Sequence, residues 1–407
     1  MKNTTALTIC AINYIPKALV LVNSYLKHNP SSYITLLIVD KKTEININVD
    51  RLNIVWVEDL EIDNFNQYAF MYDVIELNTN VKPFAIKYLL SKYDAVVYLD
   101  PDVKVYTSLD SVFEALNHAS ILVTPHYITP ILDGDKPDDL ELLKFGAFNL
   151  GFVAVSNSSE GLDFLSWWSE RCLKHGFYEP QIGLAVDQKW VGLAPCYFPN
   201  LKILYDVGLN VAFWNLHERT ISKIDDKWFI NEVTPLKFIH FSSFDATNPS
   251  NIANKQSRFK AGSRPDFIEL ANEYAQDQNK MSLNNKHSSQ QYGFDFFEDG
   301  VYITPALRRF YAALFQKKFA EDENPFLVTS KVRLFAKSNG LLNKNGTPSR
   351  RHTFKDLNKY SFQITFINKT LRLVLYLIGP DRYFNLMRYI AHISSIRNQS
   401  EIFGEKK

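Results

Sequence analysis

The chain has 407 residues, of which 46% are hydrophobic and 22% are charged, so it can bury a substantial core and is not a disordered or low-complexity protein. Its length predicts two or three domains, or one large domain with additions. The formal net charge of +1 hides an acidic body and a basic C-terminal segment, because residues 331–407 hold 15 lysines and arginines but only 4 acidic residues.

The first 125 residues alternate between strand and helix patterns. Short apolar runs predict five strands, at residues 6–12, 33–40, 53–57, 94–100 and 120–123. Apolar residues at helical spacing predict three helices, at residues 16–28, 68–77 and 83–90. Continuous apolar strands joined by helices indicate a mainly parallel sheet with helices on both faces, and such sheets bind ligands at the carboxyl ends of their strands.

Further elements are predicted along the rest of the chain. Two strands are expected, at residues 148–156 and 236–241, and a helix capped by Ser159 is expected at about 160–174, with Gly176 after its end. The polar stretch 250–295 is interpreted as connecting structure. The remaining pattern predicts a helix at 301–320, a loop at 337–353 and two closing helices separated at Gly379-Pro380.

The three cysteines predict neither a disulfide framework nor a zinc site. Cys10, Cys172 and Cys196 are odd in number and form no C-x-x-C pair, which favours a reducing compartment. The N-terminus is interpreted as a first strand and not as a signal peptide. No window reaches the length of a membrane-spanning helix. We therefore expect a cytoplasmic protein.

Two carboxylates follow the apolar strand at residues 95–99. Asp100 and Asp102 are separated by Pro101, so a buried strand delivers both to the edge of the sheet, where they can approach one hard cation. Oxygen ligands suit Mg²⁺ or Mn²⁺ and leave positions for phosphate oxygens. A pair of acids capping a turn is the plainer alternative. A phosphatase of the haloacid-dehalogenase type is disfavoured, because Lys104 occupies the fifth position of that motif.

An ordered series of motifs accompanies the two acids: AINY at 11–14, NVKPF at 80–84, FNLGF at 148–152, VDQ at 186–188 and KFIHF at 237–241. Over residues 6–260 this series resembles glycosyltransferases of the GT-A fold, closest in pattern to glycosyltransferase family 8 and to related bacterial enzymes of cell-surface polysaccharide synthesis. The resemblance implies an α/β, Rossmann-like GT-A fold and the use of a nucleotide-activated sugar.

The resemblance also implies a role for each motif. Asn13 and Tyr14 match the nucleotide-binding edge, where a tyrosine stacks on uracil, and Lys82 matches a basic residue beside the metal and diphosphate. Asn149 is expected to contact the transferred sugar, and Gly151 to let the backbone approach the ligand. Plainer interpretations are a strand-end aromatic for Tyr14, a surface lysine for Lys82 and a bulge at Gly151.

The last two motifs complete the implied site. Asp187 is expected to bind sugar hydroxyls and Gln188 to lie near the anomeric carbon, although a helix-capping role for Asp187 is an equal alternative. His240 is the implied third metal ligand beside Asp100 and Asp102, the alternative being a buried core histidine.

The chain departs from the family pattern directly after His240. Ser243 stands where the family has glycine, and the family's Lys-Pro-Trp segment is missing. We expect Lys255, Arg258 or Lys260 to supply the diphosphate contact instead.

Together these residues predict three parts. Residues 1–260 form the GT-A catalytic domain, with a nucleotide-binding half at about 1–125 and a sugar and acceptor half at about 126–260. Residues 261–336 form a helical connecting region, and residues 337–407 a basic helical C-terminal extension. In that extension Tyr383, Leu386, Met387, Ile390 and Ile393 share one helical face, which predicts either contact with an anionic membrane or packing against the body. No nucleic-acid-binding module accompanies the charge.

The predicted function is a metal-dependent glycosyltransferase (a hexosyltransferase). It is expected to move a hexose, with retention, from a UDP-sugar to a glycan or lipid-linked glycan of bacterial lipopolysaccharide or capsule, at the inner face of the cell membrane. Two alternatives are a sugar-nucleotide nucleotidyltransferase, disfavoured because the first turn at 13–17 lacks glycine, and a non-catalytic carbohydrate-binding relative.

Overall fold

The computed structural model describes residues 3–283, 287–342 and 360–403. The chain divides into two compact units. The first comprises Met1–Phe65 and Val74–Gly293, and the second comprises Asn66–Asp73 and Phe294–Lys407. The first unit therefore continues past the boundary that the sequence predicts at residue 260.

The strands of the described residues all belong to the first unit. In chain order they are β1 (Thr4–Cys10), β2 (Tyr33–Ile38), β3 (Leu52–Trp56), β4 (Ala95–Leu99), β5 (Val103–Val105), β6 (Ile121–Pro125), β7 (Phe148–Ser156), β8 (Tyr178–Glu179), β9 (Leu184–Ala185), β10 (Leu201–Ile203), β11 (Ile221–Ile224), β12 (Lys227–Ile230), β13 (Thr234–Pro235) and β14 (Phe238–His240).

The α-helices of the described residues are, in chain order, α1 (Ile15–His28), α2 (Phe65–Met71), α3 (Val74–Asn80), α4 (Lys82–Leu90), α5 (Asp110–Ala115), α6 (Asp139–Phe145), α7 (Ser159–His175), α8 (Gln188–Val191), α9 (Pro265–Leu283), α10 (Pro305–Leu314), α11 (Lys331–Ser338), α12 (Ser361–Ile378) and α13 (Pro380–Ile393).

A seven-stranded sheet forms the centre of the first unit, in the order β10-β6-β7-β4-β1-β2-β3. Neighbouring strands run parallel, except that β7 is antiparallel to both β4 and β6. The predicted mainly parallel α/β sheet is confirmed. The five strands predicted in the first 125 residues occur within a few residues of their predicted bounds, and β7 matches its prediction.

The sheet is buried on both faces at its centre, which explains why β4 is apolar along its whole length. On one face, Val97 of β4 belongs to the same buried cluster as Leu21 and Tyr25 of α1. On the other face, the ring of Tyr98 lies 4.3 Å from the ammonium of Lys82 in α4. Successive side chains of a strand point to opposite faces, so α1 and α4 cover the two sides of β4.

Two predictions in the first unit are wrong. The connecting stretch predicted at 250–295 contains α9, whose buried side chains Phe267, Leu270 and Tyr274 share a cluster with Ile239 and Phe241. The outer face of α9 is polar, so the sequence pattern did not indicate a helix there. The helix at about 160–174 is α7, but Ser158 and not Ser159 caps it, accepting a hydrogen bond from the Gly161 N–H.

The predicted helix at 68–77 is two helices, α2 and α3, which belong to different units. In the second unit, the guanidinium of Arg308 explains why the chain turns after α2. Arg308 is 1% exposed and donates to the carbonyl oxygens of Ala69, Phe70 and Tyr72 at 2.7–3.0 Å. These bonds satisfy the carbonyl groups that a continuous helix would have paired internally.

Within its described residues, the rest of the second unit is mainly helical, which confirms the predicted mainly helical C-terminal part. The predicted helix at 301–320 is α10 followed by a π-helical turn at Phe315–Phe319, and α11 was not predicted. Residues 343–353 of the predicted loop lie outside the described residues. The predicted separation of the closing helices is confirmed, because Gly379 takes a φ of 79° between α12 and α13. Among the described helices, none has both the length and the apolar character needed to cross a membrane.

Candidate metal and sugar-nucleotide site

The acidic pair lies at the carboxyl end of β4, near the middle of the sheet. All five residues of β4 are buried, and the Asp100 N–H donates to the Gly151 carbonyl oxygen on β7 (2.9 Å). The Val103 N–H then donates to the Asp100 carbonyl oxygen (3.1 Å), which closes the turn that carries Asp102. Both carboxylates are therefore fixed at one edge of the sheet.

The short pairing of β5 with β14 brings His240 to these acids. β5 begins directly after Asp102, and His240 stands opposite Val103 in the antiparallel ladder. The His240 Nε2 lies 3.0 Å from Asp102 Oδ1 and 3.5 Å from Asp100 Oδ2. The three side chains can each offer one ligand atom, all within 4.8 Å of one another. Asp102 and His240, which are 138 positions apart in the sequence, thus form one cluster of two carboxylates and an imidazole together with Asp100.

The electrostatics of the cluster tie the three groups together. Burial alone would lower the pKa of His240, but the charges of Asp102 and then Asp100 outweigh it and raise that pKa. Burial likewise opposes the ionisation of Asp102, yet the positive charge of His240 lowers the pKa of that carboxyl. Positive charge among the carboxylates stabilises such a group, and either a protonated His240 or a divalent cation held by the neutral imidazole would supply it.

A second ion pair lies beside the cluster, between Lys82 and Asp187. The Lys82 ammonium is 2.7 Å from Asp187 Oδ2 and donates to the Leu150 carbonyl oxygen (2.8 Å). Lys82 is 1% exposed, so it is not a surface lysine. Lys82 also lies over the ring of Tyr98, whose hydroxyl donates to Asp100 Oδ1 (2.6 Å). Tyr98, which the motifs did not single out, thus connects the ion pair to the cluster of Asp100, Asp102 and His240.

Asp187 is held in a strained segment. It stands before α8, but its side chain makes no capping hydrogen bond there. Burial raises its pKa, and the charge of Lys82 only partly offsets that effect. The preceding residue, Val186, has a φ of 47°, a left-handed conformation that is a genuine outlier for a β-branched residue. Such strain persists only where surrounding structure fixes it, and it is common at functional sites.

The side-chain amides of Asn149 and Gln188 lie at the start of β7. Asn149 Oδ1 accepts from the Gly151 N–H (3.0 Å) and from Asn210 Nδ2 (3.1 Å). Gln188 Oε1 accepts from the Leu150 N–H (3.0 Å). Hydrogen bonds from backbone N–H groups therefore hold both amides next to the end of β4, directly before Asp100.

Gly151 has a specific steric role in this arrangement. A Cβ atom at this position would overlap the imidazole ring of His240 and approach Asn149 Oδ1 at 2.8 Å. Glycine is thus required so that the histidine can reach the acids. The sequence predicted that the missing side chain makes room for the ligand, whereas the structure shows that it makes room for His240.

The aromatic segment at 206–219 supports His240 from its other side. The Trp214 ring packs edge-on against His240 (5.2 Å between centroids) and against His126 (5.4 Å), and it is 4% exposed. Burial lowers the pKa of His126 to about 4, so this imidazole is neutral. Trp214 is therefore a packing residue that orients His240.

The remaining predicted residues are placed as follows. Asn13 and Tyr14 are exposed in a short turn directly after β1, at the same strand-end edge of the sheet. Lys255 is exposed. Arg258 instead holds the loop at 133–137, because it pairs with Asp133 and donates to the Pro137 carbonyl oxygen (2.8 Å).

Lys17 was not singled out by the motifs. It lies in the first turn of α1, with its ammonium 4.3 Å from the centroid of the Tyr14 ring. After the larger effects of burial and His240, its charge is among those that lower the pKa of Asp102, and it contributes in the same direction at Asp245. A lysine directly after Pro16, at the start of the helix that follows β1, was the available signal.

The chain is similar in sequence to proteins that have no assigned activity, and similar in structure to proteins that have an assigned activity. No family model matches the chain. Two Bacillus subtilis (strain 168) proteins of uncharacterised function are similar. YfnF is 27% identical over 244 residues, which cover 58% of this chain and 80% of YfnF, and YfnD is 24% identical over 254 residues, which cover 58% and 76%.

Among solved structures, the galactosyltransferase LgtC in complex with donor and acceptor sugar analogues is similar at 14% identity and a TM-score of 0.42, over 67% of this chain and 95% of LgtC. The glycosyltransferase GlyE of Streptococcus pneumoniae TIGR4 is similar at 17% identity and a TM-score of 0.41, over 73% of this chain and 67% of GlyE.

Proposed function

We propose that this chain is a metal-dependent glycosyltransferase that moves a sugar from a nucleoside-diphosphate sugar to a carbohydrate acceptor. The observation that carries the proposal is the cluster of Asp100, Asp102 and His240 at the carboxyl end of β4 in a mainly parallel sheet. Ligands bind at such strand ends, and carboxylate and imidazole donors on one edge suit Mn²⁺ or Mg²⁺.

The chemistry divides among the residues that surround this cluster. The cation would be held by Asp100, Asp102 and His240, and it would neutralise the charge that develops on the departing diphosphate. In the transfer, the bond from the anomeric carbon to the diphosphate oxygen breaks and a bond to the acceptor oxygen forms. The acceptor proton passes to the leaving phosphate if the configuration is retained, as the family resemblance implies. Asn149, Asp187 and Gln188 would bind and orient the sugar.

The finer features of the donor follow from the turn after β1. The exposed Tyr14 ring offers a face on which a nucleotide base can stack, which supports Asn13 and Tyr14 as its contacts. UDP is the proposed nucleotide because the family resemblance implies it. A hexose is the proposed sugar, and the acceptor is a glycan or lipid-linked glycan of a bacterial surface polysaccharide such as lipopolysaccharide or capsule. Nucleic acid is not a proposed partner.

The closing helices support a location at the inner face of the membrane. No described residue of α12 or α13 is buried. These helices expose large apolar side chains and cations together: Phe362, Phe366, Tyr376, Leu377, Phe384, Lys369, Arg372, Arg382 and Arg388. Basic helices with an apolar face bind anionic membrane surfaces, so we propose peripheral contact there.

Lys17 is the residue that we expect to bind the diphosphate, since Arg258 is engaged with Asp133. Lys17→Ala should weaken UDP binding about tenfold, because it removes a charge-assisted contact to phosphate, while Mn²⁺ affinity should change much less. Titration calorimetry with each ligand separates the two effects. Lys27→Ala, on the same helix, is the control; equal losses in the two variants would contradict the assignment, and the role would return to Lys255.

Gly151→Ala should impair the metal site without touching a ligand. The added methyl group must push the His240 ring away from the acids, so we expect Mn²⁺ affinity to fall at least about tenfold, the order of magnitude seen when a group that positions metal ligands is lost. Electron paramagnetic resonance of free Mn²⁺ measures this. Gly192→Ala, at an exposed position with ordinary helical backbone, is the control. Unchanged Mn²⁺ binding in Gly151→Ala would show that His240 is not a ligand.

The proposed function is tested by screening nucleotide sugars for hydrolysis with and without Mn²⁺. Turnover of one donor, dependent on the cation, would identify the base and the sugar together. Formation of a nucleotide sugar from a nucleoside triphosphate and a sugar phosphate would instead support the nucleotidyltransferase alternative. Binding of a nucleotide sugar with no turnover, even when glycan acceptors are added, would support a non-catalytic relative.

A further inference from the structure

A cavity of about 760 Å³ lies in the first unit, and none of Asp100, Asp102 and His240 lines it. Its walls come from α1, from the chain that follows β5, from the β12–β13 region and from α9. The volume falls in the range of small-ligand sites. Nothing in the metal and sugar-nucleotide site uses these residues.

The lining combines aromatic rings with charged groups. Tyr106 and Trp228 are both half-buried at the cavity, and Tyr106 has a buried hydroxyl that lacks a hydrogen-bond partner. Lys104 is 6% exposed and is fixed between Glu273 (2.7 Å) and Asp277 (2.5 Å), whose side chains remain 52% and 41% exposed. A built ion-pair network thus presents carboxylates beside two aromatic rings.

This composition fits a sugar chain better than a purely apolar or purely anionic ligand. Sugar rings have apolar C–H faces that pack on aromatic side chains, and their hydroxyls pair with carboxylates and ammonium groups. The lining holds four lysines and three carboxylates, so it lacks the strong excess of positive charge that a phosphate site needs.

The cavity also has a defined relation to the proposed reaction centre. Asp102 directly precedes β5 and Tyr106 directly follows it, while Lys104 lies between the core residues Val103 and Val105. At roughly 3.3 Å per residue, Tyr106 is about 13 Å along the chain from Asp102. A chain of a few sugar rings spans such a distance.

We infer that this cavity binds an oligosaccharide, in particular the part of the acceptor glycan remote from its reacting end. The acceptor role rests on the proposed function, whereas binding of a sugar chain at Tyr106 and Trp228 does not. The predicted consequence is that long acceptors bind more tightly than short ones, although the cavity takes no part in bond breaking.

The test is saturation-transfer-difference NMR of the full chain with oligosaccharides selected on a printed array of bacterial surface glycans. Glu273→Ala and Trp228→Ala should each weaken binding about tenfold, and donor hydrolysis should be unchanged. Glu273→Ala truncates a side chain of α9 that is 52% exposed, so it should fold normally even if Trp228→Ala does not. Glu269→Ala, at an exposed position of the same helix, and Trp167→Ala are the matched controls.

Each result has a definite meaning. Loss of glycan binding in Glu273→Ala with retained hydrolysis supports the inference. Absence of glycan binding by the unaltered chain, binding of inorganic phosphate in the cavity, or equal losses in the Glu269→Ala control overturn it. If the chain binds oligosaccharide in this cavity but hydrolyses no nucleotide sugar, the cavity assignment stands and the proposed transferase function fails.

Discussion

Asp102→Asn is expected to lower metal-dependent hydrolysis of the nucleotide sugar by about a thousandfold. The substitution keeps the shape of the side chain but removes the negative charge that lies 3.0 Å from His240 Nε2. A cation held at this site contributes several kcal/mol of transition-state stabilisation, and each 1.36 kcal/mol corresponds to a factor of about ten in rate. Initial rates over a Mn²⁺ titration measure the effect.

The control for Asp102→Asn distinguishes loss of chemistry from loss of fold. Asp163→Asn makes the same change of charge at an exposed position of α7 and should leave the rate unaltered. The thermal midpoint of Asp102→Asn should remain close to that of the unaltered chain. If Asp102→Asn hydrolyses the donor at the normal rate, the reaction does not depend on a metal held by Asp102.

Lys82→Met is expected to lower the free energy of unfolding of the first unit by about 3–5 kcal/mol, since it leaves the buried Asp187 carboxylate without its partner. The Asp187 pKa is already raised by burial and would rise further. Because a raised pKa in the folded state weakens stability as the pH increases through it, the loss should be larger at pH 8 than at pH 5. All six tryptophans lie in the first unit, so urea unfolding followed by tryptophan fluorescence reports this change.

A double variant distinguishes the effect of the lost ion pair from the effect of the changed side-chain volume in that experiment. Lys82→Met with Asp187→Leu removes both charges and should recover a large part of the stability lost in Lys82→Met alone. If the losses of unfolding free energy in Lys82→Met and in Asp187→Leu add up to the loss in the double variant, the ammonium and the carboxylate do not interact. Donor hydrolysis should stay low in the double variant, because the proposed sugar contact of Asp187 is also gone.

The parts of the structure that could be predicted are those with a local signature. The buried strands were recognisable because continuous apolar runs are required where a sheet is covered on both faces. The cluster of Asp100, Asp102 and His240 was predicted from a motif at each strand end, and strand pairing supplies the geometry that the separate motifs could not.

The parts that could not be predicted depend on contacts made elsewhere. α9 has a narrow apolar stripe that is recognisable only against its partners Ile239 and Phe241. The break between α2 and α3 depends on Arg308, more than 230 residues away in sequence. The surface-lysine alternative for Lys82 stayed open in the sequence because nothing near Lys82 shows that Asp187 will meet it. Likewise, the need for glycine at 151 arises from the ring of His240, which is far along the chain.

The left-handed backbone at Val186 limits how far this protein can be made heat-resistant without loss of activity. A β-branched residue held in that conformation costs about 1–3 kcal/mol, and glycine would release much of that strain. Selection for thermostability alone would therefore favour replacement of Val186. The same replacement would loosen the peptide that leads into Asp187, so the gain in stability would come with a less ordered Asp187 carboxylate, which we propose binds the sugar.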